Sequence, residues 1–193
     1  MAETKRVAVL LADGFEEAEA VVFIDIMRRL KIEVDVLSIH DRKPLSSYFK
    51  TLISADYLLS EKSAELYDAV MMPGGPMGTD NLTCSSKVIE FLKIHIAEDK
   101  WICALCSSGA KVLAANKLLG QHHYTTGGGL EKNFSDGVYV DQPVVVDAPF
   151  ISAKGLGVSF EFAFTVAAKL FQDNKDVDWQ ADHIYFSNWP LNH

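Results

Sequence analysis

Trp101-Ile102-Cys103-Ala104-Leu105-Cys106-Ser107-Ser108-Gly109-Ala110 is the stretch on which the reading of this 193-residue chain turns. Trp101 to Leu105 is wholly apolar, then small residues lead into a helical pattern. A short apolar run of this kind reads as a strand buried on both faces, as in a parallel sheet covered by helices. A buried strand that turns sharply into a helix is how a nucleophile elbow reads. The reactive side chain sits on a strained turn, and the residues two away on each side must be small. Around Cys106 those neighbours are Ala104 and Ser108. The elbow places Cys106 at a helix N-terminus, where unpaired N–H groups and the helix dipole favour thiolate. The same letters also spell a buried structural cysteine beside a helix capped by Ser107 or Ser108.

Working outward, Arg6–Leu11, Ile32–Ile39 and Tyr67–Met72 join Trp101–Leu105 as apolar strands. Glu16–Leu30, Ser86–Ala97, Ser108–Leu119 and Val158–Phe171 carry helical spacing. Buried strands interleaved with helices predict one α/β sandwich with a mostly parallel sheet. The stretch from His122 to Lys154 breaks the alternation with short runs at His123–Thr126, Val138–Val140, Val144–Val146 and Phe150–Ala153. These are expected as a small excursion beside the main sheet. Residues 1–193 are read as a single domain. The 175–193 tail, with Trp179, Tyr185, Phe186 and Trp189, is too aromatic to stay free and is expected to dock on the body or on a partner subunit.

Composition narrows the function classes. Lys plus Arg number 18 and Asp plus Glu 26, a net charge of −8, which argues against nucleic acid or an anionic membrane as partner. The apolar runs are too short to span a bilayer, and the first strand is too short for a signal-peptide core. A cytosolic protein is expected. Three cysteines do not suggest a disulfide framework. Cys103 and Cys106 have dithiol spacing, but Cys103 falls inside a strand, and residues so placed point to opposite faces. Cys84, in a polar loop, reads as an exposed bystander. No His, Cys, Asp and Glu set has metal-ligand spacing and no cofactor fingerprint appears, so neither a metal nor a cofactor is expected.

Two further groups can join Cys106. Glu19, Val22, Phe23, Ile26, Met27 and Leu30 form one helical stripe in which the carboxyl is the polar member. Burial on that face raises a carboxyl pKa and lets it hold a proton near neutrality. Met71-Met72-Pro73-Gly74-Gly75-Pro76 also follows a buried strand, and its glycines let backbone amides approach a ligand, as an oxyanion site requires. Functional groups collect at the carboxyl ends of strands in open α/β sheets, so the three segments can share one crevice.

Asp13-Gly14-Phe15-Glu16-Glu17-Ala18-Glu19, Pro73-Gly74-Gly75, Ala104-Leu105-Cys106-Ser107-Ser108-Gly109 and Gly155-Leu156-Gly157-Val158-Ser159-Phe160-Glu161-Phe162-Ala163 occur in order. As a set they resemble the ThiJ/PfpI superfamily, and within it the branch of the Parkinsonism-associated deglycase and its bacterial relatives. That resemblance implies a flavodoxin-like fold and a homodimer. It puts the reactive cysteine at Cys106, the protonated glutamate at Glu19, and pocket amides at Gly74, Gly75 and Ser107. The branch commonly has a histidine after a Thr-Thr pair; here Gly127 follows Thr125-Thr126. The superfamily's other histidine, directly after the cysteine, is replaced by Ser107. A Cys-His protease is therefore not encoded in the usual places. The resemblance implies an oxidative-stress sensor or protective chaperone acting through Cys106 oxidation. The alternative is a weak glyoxalase or deglycase acting on 2-oxoaldehydes or their adducts, with Gly127→His expected to raise turnover if the pocket tolerates the ring. Small carbonyl compounds or oxidants are the expected reaction partners, and the sequence leaves open whether the protein is an enzyme.

Overall fold

The computed structural model describes residues 4–189. Residues 1–3 of the N-terminal reading and 190–193 of the tail reading lie outside these. In chain order the elements are β1 (Arg6–Leu11), α1 (Glu17–Arg29), β2 (Glu33–Ser38), β3 (Pro44–Ser46), β4 (Leu52–Ser54), β5 (Tyr57–Leu58), α2 (Leu59–Lys62) and β6 (Ala69–Met72). There follow α3 (Pro76–Cys84), α4 (Ser86–Ala97), β7 (Trp101–Leu105), a π-helical segment Gly109–Ala114, β8 (His123–Tyr124), β9 (Val138–Tyr139), β10 (Val144–Asp147) and β11 (Phe150–Ala153). The last helices are α5 (Ser159–Leu170) and α6 (Lys175–His183).

The main sheet has the order β10-β11-β7-β6-β1-β2-β5. Its pairs are parallel except β10 with β11. Alternation along each strand divides the core into two layers. Val7, Val9, Leu11, Met71 and Cys103 pack with Ala20, Phe23, Phe162 and Val166, residues of α1 and α5, on one face. Ala8, Leu10, Val70, Met72, Ile102 and Ala104 pack with Val88, Phe91 and Leu92 of α4 and with Val112 and Leu113 on the other. The expected α/β sandwich with a mostly parallel central sheet is therefore the observed one. Trp101–Leu105 lies between β6 and β11.

Several expectations are corrected. Val144–Asp147 and Phe150–Ala153 are strands of the main sheet, not an excursion, and Phe150 pairs with Ile102 and Ala153 with Leu105. All four β11 residues are buried, and such a strand needs a neighbour for its backbone groups as well as cover for its faces. The excursion shrinks to the two-residue pair β8–β9. The helix expected over Ser108–Leu119 runs as π-helix to Ala114 and turns away at Lys117, whose φ is 56°. Pro76–Cys84, read as turn and loop, is a helix with Pro76 at its first position, where a missing N–H costs nothing. Cys84 ends that helix and is exposed. The β3–β4 hairpin carries no clear sequence signal, because its strands are three residues each and pair only with one another.

In the tail, the Phe186 ring stacks on Phe164 with centroids 5.6 Å apart, and Trp189 lies 5.7 Å from Phe164. Tyr185 is 93% exposed.

The α1–α5 seam rests on Phe23, fully buried, with its ring 5.8 Å from that of Phe162. Phe23→Ala is expected to cost about 3–5 kcal/mol in chemical denaturation, the range for a buried aromatic truncated to a cavity. Val21→Ala, one position from the stripe and half-exposed, is expected to cost far less.

Candidate functional site

The chain leaves β1 toward β2 on one side and later enters β6 on the other. A crevice opens where the order reverses, at the carboxyl ends of the strands. Three connections meet there: the turn after β1 that leads into α1, Pro73-Gly74-Gly75 after β6, and Cys106-Ser107 after β7. Backbone bonds tie them together. Glu16 N–H donates to the Gly74 carbonyl at 2.9 Å, and Cys106 N–H donates to the Ala153 carbonyl at 2.9 Å. Ser108 Oγ donates to the Pro73 carbonyl at 2.7 Å.

Cys106 has φ 61°, a left-handed conformation rare for a residue with a Cβ. Such strain costs of order 1–3 kcal/mol and persists where the surroundings over-determine it. Here the Cys106 carbonyl accepts from Thr126 Oγ1 at 2.8 Å and from Gly127 N–H at 3.3 Å. The expected elbow is thus present in the backbone.

Glu19 is 1% exposed, and its Oε2 accepts from Gly74 N–H at 2.7 Å. Its carboxyl also lies beside the Cys106 thiol, which favours the charged carboxylate. A Cβ on Gly74 would lie 2.6 Å from Cys106 Cβ and 2.9 Å from both Cys106 Sγ and Glu19 Oε2. The carboxyl and sulfur therefore meet because position 74 has no side chain. The Gly74 amide, expected to face a substrate, serves Glu19. Gly75 needs its freedom for another reason, a φ of 97° at the entrance to α3.

Burial pushes the Glu19 carboxyl up to about 7, and the Gly74 amide and the neighbouring Cys106 thiol offset this only in part. Burial pushes the Cys106 thiol up to about 12; the Glu19 charge adds to it and the Ser107 amide opposes it. The expected lowering of the thiol pKa by the helix terminus is overturned, because burial and a neighbouring carboxylate outweigh one amide. The two groups titrate as a pair. Moving the proton from sulfur to carboxyl makes a thiolate without changing the pair's total charge. The Ser107 amide then faces the charged sulfur.

Cys106, Glu19, Gly75 and Ser107 line a cavity of about 360 Å³, while Gly74 stands behind them. Among the lining residues that sequence reasoning missed are Tyr48, Lys111, Leu130 and Leu156. Lys111 was legible in principle, since it lies one helical turn after Ser107, and its N–H bonds the Ser107 carbonyl at 2.8 Å. Tyr48 was not, for it arrives on the hairpin. Asp13 Oδ1 accepts from Ser46 N–H at 2.9 Å and Asp13 Oδ2 binds Arg42. Tyr48 N–H donates to the Phe15 carbonyl at 2.8 Å. The first glutamate, Glu16, also lines the cavity rather than merely complementing a dipole.

No described histidine lines the cavity. His122 and His123 both bind Asp147, at 3.2 and 2.9 Å. His95 accepts from Tyr67 N–H at 3.1 Å and is fully buried. His40 accepts from Asp13 N–H at 3.1 Å. A Cβ on Gly127 would lie 2.4 Å from the Lys154 carbonyl oxygen. The condition attached to Gly127→His, that the pocket tolerate a ring, is therefore not met: backbone would have to move before a ring could enter. Among the described residues no group of three or more His, Cys, Asp or Glu side chains is arranged to hold a metal, and no helix is long and apolar enough to cross a membrane.

Glu19 also predicts a pH dependence of stability. Its folded pKa, about 7, lies above its ordinary value of 4.5, so the unfolded chain loses this proton first as pH rises. Between those values the unfolded state binds fewer protons and stability falls with pH. Relative to the wild type, Glu19→Gln is expected to gain on the order of a few kcal/mol between pH 4 and pH 8, read from urea unfolding at both.

The DJ-1/PfpI family model matches residues 5–169. The chain is 34% identical over 169 residues to the Parkinson disease protein 7 homolog of Danio rerio, covering 86% of this chain and 89% of that one. It is 31% identical over 172 residues to protein DJ-1 homolog B of Arabidopsis thaliana, covering 89% of this chain but spanning only 39% of that protein's length. A glutathione-independent glyoxalase of Caenorhabditis elegans is 29% identical over 176 residues, with 88% and 91% of the two chains covered. Among solved structures, a DJ-1 superfamily protein of Salmonella typhimurium, crystallised with a cysteine replaced by alanine, superposes with TM-score 0.93 at 48% identity, covering 94% and 98% of the two chains. The oxidised DJ-1 of Toxoplasma gondii superposes with TM-score 0.91 at 28% identity, covering 95% and 100%. With the elbow, the buried glutamate and the fold already in place, the match over nearly the whole chain makes this protein a member of the DJ-1/PfpI family.

Proposed function

We propose that this chain is a cysteine-based oxidative-stress-responsive protein, a redox sensor or protective chaperone, in which Cys106 is the reacting group. The observation that carries this is the juxtaposition of the buried Glu19 carboxyl with the Cys106 thiol, the sulfur and Oε2 each lying 2.9 Å from the one point a Gly74 Cβ would occupy. Glu19 takes the thiol proton and the thiolate attacks a peroxide oxygen. The O–O bond breaks, the sulfur keeps one OH as sulfenic acid, and the other oxygen leaves as hydroxide. A second peroxide yields sulfinate, and protonated Glu19 donates a short hydrogen bond to one of its oxygens. The chemistry needs no imidazole, in keeping with a cavity lined by none among the described residues. The relative solved as an oxidised protein supports the same reading. A cytoplasmic setting, where thiols are kept reduced, is part of it.

A homodimer belongs to the same proposal. Phe49 and Leu52 on the hairpin are 71% and 78% exposed, and Val21 on α1 is 48% exposed. Glu17 of α1 holds the hairpin through Phe49 N–H and Thr51 Oγ1, so these apolar groups lie on neighbouring elements. A second copy of the chain would cover them.

A second reading is favoured by the relative named as a glyoxalase: attack of Cys106 on an aldehyde carbonyl, with Glu19 as acid and base. A general acid–base group is worth ~10² to 10⁴-fold in rate, so a site lacking the imidazole is expected to be a slow glyoxalase. Lactate formed from methylglyoxal measures it; brisk turnover that survives Cys106→Ala would place the chemistry elsewhere.

Graded peroxide followed by peptide mass spectrometry tests the main proposal. Cys106 is expected to gain oxygen before exposed Cys84 and before Cys103, which is shielded within the sheet. It is expected to stop at sulfinate, with Glu19→Asp and Glu19→Gln both altering that endpoint. Oxidation of Cys84 or Cys103 first would overturn the assignment.

A further inference from the structure

We infer that Lys111 makes the Cys106 cavity selective for small electrophiles that carry a carboxylate, with the anionic end held by the Lys111 ammonium and the reactive carbon toward Cys106. The inference rests on the reactive-thiol reading of Cys106 and adds a substrate class to it. Lys111 is the one cation among the described residues that line this cavity. Its side chain is only 25% exposed. The Nζ donates to the Pro76 carbonyl at 3.2 Å and to Asp80 Oδ1 at 2.5 Å, and Pro76 is itself part of the cavity wall. The ammonium is thus anchored at the rim, one helical turn beyond the Ser107 amide.

The hold on Lys111 is of a kind that yields. Asp80 is 62% exposed, and an exposed ion pair contributes at most about 1 kcal/mol. An incoming carboxylate can replace it, or share the ammonium, at little cost. The rest of the molecule makes the cation necessary for such a ligand. The chain carries a net charge of −8, and Glu16 and Glu19 face the same cavity. An anion approaching without a local positive charge is repelled. Tyr48, Leu130 and Leu156 supply apolar walls suited to a short carbon skeleton. Natural ligands of this class are short oxo acids whose carbonyl carbon is open to thiolate attack.

The test uses two alkylating reagents of nearly equal size, iodoacetate and iodoacetamide. In each, the Cys106 thiolate forms a C–S bond as iodide leaves with the C–I electron pair, and the thiol proton passes to Glu19 or solvent. The readout is the ratio of the two labelling rates at Cys106, followed by mass spectrometry and referred to the same ratio for N-acetylcysteine. In the wild type the ratio is expected to exceed the reference by roughly five-fold or more at low salt, and to fall toward it as salt screens the charge. Lys111→Met is expected to bring the ratio down to the reference, Lys111→Arg to keep it high, and Asp80→Asn to raise it. A wild-type ratio equal to the reference, or a fall of both rates in proportion in Lys111→Met, would overturn the role of Lys111 while leaving the reactive thiol standing. Failure of either reagent to label Cys106 ahead of Cys84 would overturn the reactive-thiol reading and this inference together.

Discussion

Two acids are buried against one another, and the space around them tolerates one negative charge far better than two. Glu19 has lost its water and gained one amide, from Gly74. Cys106 has lost most of its water and gained one amide, from Ser107. Neither amide repays the cost of a bare ion in an apolar wall. The proton between them is therefore shared property, and chemistry at the sulfur is tied to the position of that proton. A carboxyl elsewhere in the first turn of α1 would not do this. Glu17, two positions earlier, spends its oxygens on the hairpin instead.

Holding the pair in contact shapes the backbone around it. The thiol reaches the carboxyl through a left-handed Cys106, and that turn is kept by bonds from Ala153, Thr126 and Gly127. Gly74 must lack a side chain, because a Cβ would occupy the space the sulfur and carboxylate share. Gly127 and Gly109 are pressed against carbonyl oxygens, of Lys154 and Thr125, at 2.4 and 2.6 Å from a hypothetical Cβ. The same tight packing that supports the elbow excludes an imidazole at position 127.

The sheet supplies the rigidity this requires. Strands β1, β6 and β7 are neighbours in register, Val9 with Met71 and Met71 with Cys103. Their ends stop at one level, so the loops that follow begin at fixed positions relative to one another. Helices packed on both faces prevent the sheet from flexing to relieve the strain at Cys106. A mobile element would let the carboxyl and sulfur drift apart and each find water.

What the chain determines by itself is periodic or local. Continuous apolar runs marked β1, β6 and β7, and the helical stripe through Phe23 and Ile26 marked both α1 and the inward phase of Glu19. Small residues around Cys106 marked the elbow, because steric limits on a tight turn act between near neighbours. Tertiary structure alone decided the rest. It placed Val144–Asp147 and Phe150–Ala153 in the main sheet, since strands of four residues say nothing of their partners. It brought Tyr48 to the cavity on a hairpin held through Arg42 and Ser46 by Asp13, some thirty residues earlier in the chain. It also reversed the sign of the thiol's pKa shift. A helix terminus can be read from neighbouring residues, but desolvation and a facing carboxylate depend on everything packed around the sulfur, and those groups come from far along the chain.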